Sequence, residues 1–368
     1  MKKTHSIDYV LLIVVVILIL IGMVMIATVS IPLSLEKFGN SFYYLRHQIL
    51  FGILPALALA ILFFKIPLNY LKKYALFLLL ANLIALFLIF LPKIGITIKG
   101  SSRWLNLGGV IFQPSEFLKI TFLLYLSVWL SQKANKSKPQ ILIAFLIILG
   151  ILTFLLIKQP DMGTLVVIGI VAILMYFVSP MPFWHTLLII LIGVTIGLLL
   201  IYIAPYRLER LITLLRPETI DPLGKGYQIR QSLIAIGSGK IWGIEGIFSL
   251  GMSRQKFGFL PHSISDSIFA IIGEEFGFIG SSFIVLLYLV FSLWGLRIVN
   301  KTTDQFGRLL ALGIVILISA QAFINISAMI GLIPLTGVPL TFISHGGSAL
   351  IIALLEMGIV LNISRYRT

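Results

Sequence analysis

The chain has 368 residues, of which 59% are hydrophobic and 11% charged, against about 25% charged in a soluble domain. It has no cysteine and a net charge of +15. These values exclude a soluble enzyme, a disordered chain and a disulfide-built secreted module, and they leave no thiolate for metal binding or nucleophilic attack. The basic excess suits the inner loops of a membrane protein, which collect Lys and Arg for topological reasons, so no nucleic-acid partner is expected.

A spanning helix takes about 20 apolar residues. Taken in chain order, about ten such segments are predicted, an all-α polytopic membrane protein. They fall at 9–31, 45–64, 71–92, 112–131, 141–158, 162–179, 183–204, 265–299, 307–333 and 341–363. The first run is too long for a signal-peptide core and reads as an anchor. The fourth is polar at its start and reads as a span that could be partly re-entrant. The eighth, at about 1.5 Å per residue, exceeds the roughly 30 Å hydrocarbon core, so it should tilt or project. With the N-terminus inside, the short outer loops hold only Lys37, Arg46, Lys93, Lys99, Arg103 and Lys158, whereas the inner segments hold thirteen Lys and Arg. That bias gives an N-in, C-in topology. The chain then forms one membrane domain, residues 1–368, with a large extracytoplasmic loop at 205–264 before the eighth helix. The loop is glycine-rich and basic, and reads as a functional loop on a rigid scaffold.

Charges inside a membrane protein are costly and mark function. Gln113-Pro114-Ser115-Glu116 opens the fourth span, and places Glu116 and Lys119 three apart on one face. Lys158-Gln159-Pro160-Asp161 makes a tight outer turn, with Asp161 placed to cap the next helix. Pro261-His262-Ser263-Ile264-Ser265-Asp266 ends the long loop, and puts Asp266 in the first turn of the eighth span. There it reads either as a cap or as a carboxylate facing an outer cavity, able to act as a general base. Glu274 and Glu275 lie too far along the helix to couple with Asp266, and read as structural. Gly331 to Ser348 reads as an outer turn followed by a small-residue helix face. The histidines lack ligand spacing, and no nucleotide-binding or hydrolase motif is present.

The ordered set of segments resembles the SEDS family, which includes the FtsW and RodA proteins. The segments that carry the resemblance are Lys99 to Gly108, Gln113 to Glu116, Gln159 to Thr164, Asp221 to Gln228, Gln231 to Gly239, the Asp266 and Gly273-Glu274-Glu275 stretch, and Pro334 to Ser348. Ser253-Arg254-Gln255-Lys256 looks more like the division branch, FtsW, than the elongation branch. Two departures stand out. Where the family commonly shows Pro-Glu-x-His-Thr-Asp-Phe, this chain has Pro261-His262-Ser263-Ile264-Ser265-Asp266-Ser267, and a Tyr usual before Gly-Gly is His345.

The resemblance implies a peptidoglycan glycosyltransferase of the bacterial inner membrane, active on the extracytoplasmic side. It would polymerise lipid II into glycan strands for division or elongation, with Asp266 as the catalytic base. Substrate contacts would come from Arg103, Glu116, Lys119, Lys158, Asp161 and Arg210, with Ser344 and His345 completing the set. A divalent cation (Mg or Mn) could sit at the pyrophosphate. The implied partners are a class B penicillin-binding transpeptidase and other divisome or elongasome membrane proteins. A lipid II flippase is the alternative function.

Overall fold

A computed structural model describes residues 6–91, 95–98, 101–107, 110–133, 139–203, 208–209, 212–214, 225–246 and 250–366. The first helix, α1 (Tyr9–Val29), is capped by the Asp8 side chain, which accepts from the Leu11 N–H. A short α2 (Ile31–Phe38) follows. Next come α3 (Tyr43–Lys65), which contains a π-helical turn at Ile49–Ile53, and α4 (Leu68–Leu88). A three-stranded antiparallel meander, β1 (Gly95–Ile98), β2 (Ser101–Leu107) and β3 (Val110–Phe112), leads into α5 (Pro114–Lys133). Helices α6 (Pro139–Lys158), α7 (Met162–Val178) and α8 (Phe183–Ile203) come next. The segment before the eighth span holds α9 (Lys225–Ser238). The chain closes with α10 (Ile268–Lys301), α11 (Gln305–Met329) and α12 (Gly347–Ser364).

Among the described residues, eight helices are long and apolar enough to cross a membrane: α1, α3, α4, α6, α8, α10, α11 and α12. The shorter apolar α7 and the charge-bearing α5 complete the ten anticipated spans. The chain is a multi-pass membrane protein. Helices α11 and α12 are the most enclosed, with 72% of their apolar windows buried, and α8 is the least, at 11%. The bundle is therefore built around α11 and α12, and α8 lies at its lipid-facing edge.

The meander departs from a purely helical expectation. Its sequence, with Ile96, Ile98, Val110, Ile111 and Phe112, is rich in β-branched and aromatic residues that favour strands. β1 pairs with β2 from Gly95 opposite Leu105 to Ile98 opposite Ser101, with a shift of register between Ile96 and Thr97, and β2 pairs with β3 from Leu105 opposite Phe112 to Leu107 opposite Val110. The fourth span shows no re-entrant break, since α5 is continuous from Pro114 to Lys133. The last helix begins at Gly347, six residues later than anticipated, because the backbone from Ile330 to Gly346 stays irregular around Pro334 and Pro339.

Helix α10 solves the length problem by breaking. Gly277 has φ 64° and ψ −158°, a conformation open essentially to glycine alone. The freed backbone N–H groups of Phe278 and Ile279 bond to the carbonyls of Lys240 and Ile241, at 2.9 and 3.2 Å, and Ile244 N–H bonds to the Glu274 carbonyl at 3.0 Å. In lipid every backbone polar group must find a protein partner. Here the stretch after α9 supplies it.

Close helix crossings fix the remaining layout. A Cβ on Gly22 of α1 would meet the Ile343 Cα at 2.7 Å, and one on Gly358 of α12 would collide with the Ala60 carbonyl oxygen of α3. The first helix is thus packed against the α11–α12 connector, as an integral member of the bundle.

Candidate active site

Four helices begin around one cavity of about 490 Å³. Gln113 and Glu116 reach it from the start of α5, Asp161 and Thr164 from the start of α7, Asp266 from the entry to α10, and Gly347 to Ala349 from the start of α12. Helix N-termini carry partial positive charge and unpaired N–H groups, so their convergence favours an anion.

Asp266 is held from behind. Its side chain is 19% exposed. Its carboxylate accepts from the Ser265 hydroxyl at 2.8 Å and lies 4.0 Å from His262 Nδ1. Asn325 of α11 donates to the Asp266 carbonyl at 2.7 Å and to the Val338 carbonyl at 2.8 Å. Gly337, at φ 71°, passes so close that a Cβ there would stand 3.8 Å from Asp266 Oδ2. Asp266 is thereby fixed to α11 and to the α11–α12 connector.

The cations come already paired. Lys119 Nζ bonds to Glu116 Oε2 at 2.7 Å, and both side chains are almost wholly buried. Arg103 lies 3.8 Å from Asp161 Oδ1 and also donates to the carbonyls of Gln159 and Pro160. This ties the β2 strand to the α6–α7 turn. Asp161 also caps α7, accepting from the Thr164 hydroxyl at 3.0 Å.

His345 lines the same cavity, with its ring against those of Tyr44 and His47 at 5.4 and 5.8 Å. It lies outside the spans, in the α11–α12 connector, and burial and then the neighbouring His47 push its pKa down to about 4. Its Nε2 is buried and has no hydrogen-bond partner among the described residues.

Two anticipated contacts sit elsewhere. Lys158 is exposed and lies 5.8 Å over the Phe154 ring. Ser344 is buried away from the cavity and works as a fastener, accepting from the Leu340 N–H at 2.9 Å and donating to the Ser265 carbonyl. Arg210 lies outside the described residues. Glu274 and Glu275 have a structural role, although their partners lie on the preceding loop rather than on other helices. Glu274 accepts from the Ser253 hydroxyl and from the Arg254 and Gln255 N–H groups, and Glu275 accepts from the Ser253 N–H.

Sequence reasoning missed Gln321, which lines the cavity, and Asn325, which supports Asp266. The signal was present. Two amides four apart in an apolar span share one helix face, and intramembrane polar residues mark sites.

Residues 8–368 match the model of the FtsW, RodA and SpoVE family, described as a cell cycle protein. The chain belongs to that family. It is 39% identical to stage V sporulation protein E of Bacillus subtilis, covering 99% of this chain and 98% of that one. It is 37% identical to a probable peptidoglycan glycosyltransferase FtsW of Geobacter metallireducens, covering 99% and 96%. Among solved structures, it matches a chain from work on the structural coordination of polymerization and crosslinking by a peptidoglycan synthase complex, with a TM-score of 0.79 and 25% identity over 98% of both chains. The fold is shared with rod shape determining protein RodA of Thermus thermophilus, with a TM-score of 0.69 and 24% identity over 98% of both.

Proposed function

We propose that the chain is a peptidoglycan glycosyltransferase that polymerises lipid II, with Asp266 as general base. The observation that carries this reading is the placing of Asp266 in one cavity with Arg103 and Lys119, where four helix N-termini meet. The name of the Geobacter metallireducens relative, a probable peptidoglycan glycosyltransferase at 37% identity, supports the same activity.

Asp266 takes the proton of the acceptor GlcNAc 4-hydroxyl. The freed oxygen attacks the anomeric carbon of the donor MurNAc from the opposite face. The bond to the pyrophosphate breaks, and undecaprenyl pyrophosphate leaves with the electron pair. The pyrophosphate is already a good leaving group, so charge stabilisation can stand in for a strong acid.

Side chains alone do not make the cavity a good seat for an anion. Among the described residues, Asp266, Glu116 and Asp161 are three carboxylates against the two cations Arg103 and Lys119. The helix N-termini make up part of the difference. Mg²⁺ usually takes one or two carboxylates and completes its shell with phosphate oxygens and water. Among the described residues no three His, Asp or Glu side chains gather to hold a metal ion. A Mg²⁺ or Mn²⁺ ion at this site would thus be held chiefly by the substrate, with Asp161 as protein ligand, and would supply charge to neutralise the departing pyrophosphate.

The proposal places the cavity on the extracytoplasmic side of the bacterial inner membrane. That follows from the Lys and Arg bias of the loops. It treats the chain as one membrane domain with 205–264 as its outer loop. A class B penicillin-binding transpeptidase is the proposed partner, in line with the synthase complex to which the fold is similar. Ser253 to Lys256 favours the division branch.

The test uses purified protein and lipid II in detergent, where there is no bilayer to cross. Wild type should form glycan polymer, and Asp266→Asn should lose it by about 10²–10⁴-fold, the usual worth of general base catalysis. Polymer formation by Asp266→Asn near the wild-type rate would overturn the assignment of the base. Wild-type protein that moves lipid II across liposomes but never joins it would favour the flippase reading.

A further inference from the structure

A second cavity, of about 570 Å³, lies between α4 and α5. It is lined by Asn69, Lys72 and Lys73 from the first turns of α4, and by Tyr125, Trp129 and Gln132 from the last turns of α5. Lys119 and Gln132 are thirteen residues apart on α5, about 20 Å along its axis. The cavity therefore opens at the opposite end of the helix from Asp266, which on the N-in topology is the cytoplasmic headgroup level.

Its chemistry is one-sided. Lys72 and Lys73 are exposed, and among the described residues no carboxylate lines the cavity. Among the described residues neither lysine forms an ion pair. Asn69 and Gln132 add amide donors from the two walls. Trp129 and Tyr125 are aromatic side chains at the depth where such rings anchor to the interface. Leu76 and Val128 continue the lining toward the lipid, and the adjoining face of α4 exposes Tyr70, Tyr74 and Phe77. A soluble anion would use the lysines but leave this apolar margin without a role. An anionic phospholipid would use both.

We propose that this cavity binds the phosphodiester headgroup of an anionic phospholipid of the inner leaflet. Lys72 and Lys73 neutralise the phosphate, Asn69 and Gln132 bond to its oxygens or to the glycerol, and the acyl chains run down the exposed face of α4. Basic pockets between membrane helices on the cytoplasmic side take such headgroups.

Native mass spectrometry of the purified full chain, delipidated in mixed phosphatidylglycerol and phosphatidylcholine micelles, tests the assignment. Wild type should retain phosphatidylglycerol in preference to phosphatidylcholine. The double variant Lys72→Gln/Lys73→Gln should bind it about 30-fold more weakly, from roughly 1 kcal/mol per lysine. Lys65→Gln/Arg297→Gln removes the same charge from the inner side outside the cavity and should retain the lipid. Both lysines are exposed, so the double variant should melt as wild type does when no lipid is added. Equal retention by the double variant, or equal loss in the control, would overturn the site. Equal protection of the protein against heat by glycerol 3-phosphate and by phosphatidylglycerol would overturn the lipid as its occupant.

Discussion

Lys119 carries two duties, and substitution can separate them. It pairs with buried Glu116, and its charge also acts on Glu356 of α12, which is 1% exposed. Lys119→Met would leave an uncompensated buried carboxylate, at a cost of about 3–5 kcal/mol, whereas neutralising both partners of a buried pair is far milder. Thermal melting in detergent should show a large drop for Lys119→Met and a partial recovery for Glu116→Gln/Lys119→Met. Polymer formation should stay lost in both, because the proposed seat lacks its cation. His345 gives a pH signature. Above about pH 6.5 the ring is neutral whether the chain is folded or not, and its burial costs nothing in protonation. As the pH falls from 6.5 toward 4, the unfolded chain takes up a proton that the folded ring refuses, so stability falls. Melting temperature followed across that window should decline less in His345→Phe than in wild type. An identical decline would show that the ring is not the group responsible.

At the scale of the element, α10 shows how a sequence can state a problem without stating its solution. The apolar run from 265 to 299 was visibly too long for a bilayer, and tilt or projection was the natural expectation. The chain breaks instead at Gly277, and the break is possible because Gly239 and Gly243 let another backbone reach it. A Cβ at Gly277 would stand 2.6 Å from the Gly243 nitrogen and 2.6 Å from the Ile241 oxygen. Gly277→Ala should lower the melting temperature, with backbone strain alone worth about 1–3 kcal/mol and the collision added to it. Gly150→Ala, in the regular part of α6, meets nothing within 4 Å and should cost less. The shorter α2 and α9 were not anticipated, whereas the long apolar helices were legible because such runs, with caps such as Asp8 and Asp161, carry their own boundaries. The meander at Gly95–Phe112 was not, since short strands leave little periodicity to read. The late start of α12 was hidden for a related reason, as Thr341, Phe342 and Ile343 are apolar enough to pass for helix while their backbone is committed to the α11–α12 connector.

For the whole molecule, the two ends of the bundle divide the electrostatic work. The Asp266 end gathers helix N-termini and compensated ion pairs, and the opposite end gathers lysines that, among the described residues, form no ion pair at the α4–α5 cavity. The outer arrangement could be read in part from sequence, because Asp161, Asp266 and the Glu116–Lys119 pair are charges in apolar surroundings. Their meeting in one place could not, because it depends on α5, α7, α10 and α12 all starting at the same level of the bundle. Lys158 and Ser344 show the limit of reading by adjacency. Each sits one to three residues from a lining side chain, yet helix rotation and turn geometry send it elsewhere.

The splice between the stretch after α9 and the gap in α10 has a mechanical consequence. Lifting that stretch off the helix would strand the Phe278 and Ile279 amides in hydrocarbon, so a pull on it from outside is passed to the membrane helix rather than absorbed as slack. Any protein that grips this surface therefore holds a lever on the helix at whose entry Asp266 stands.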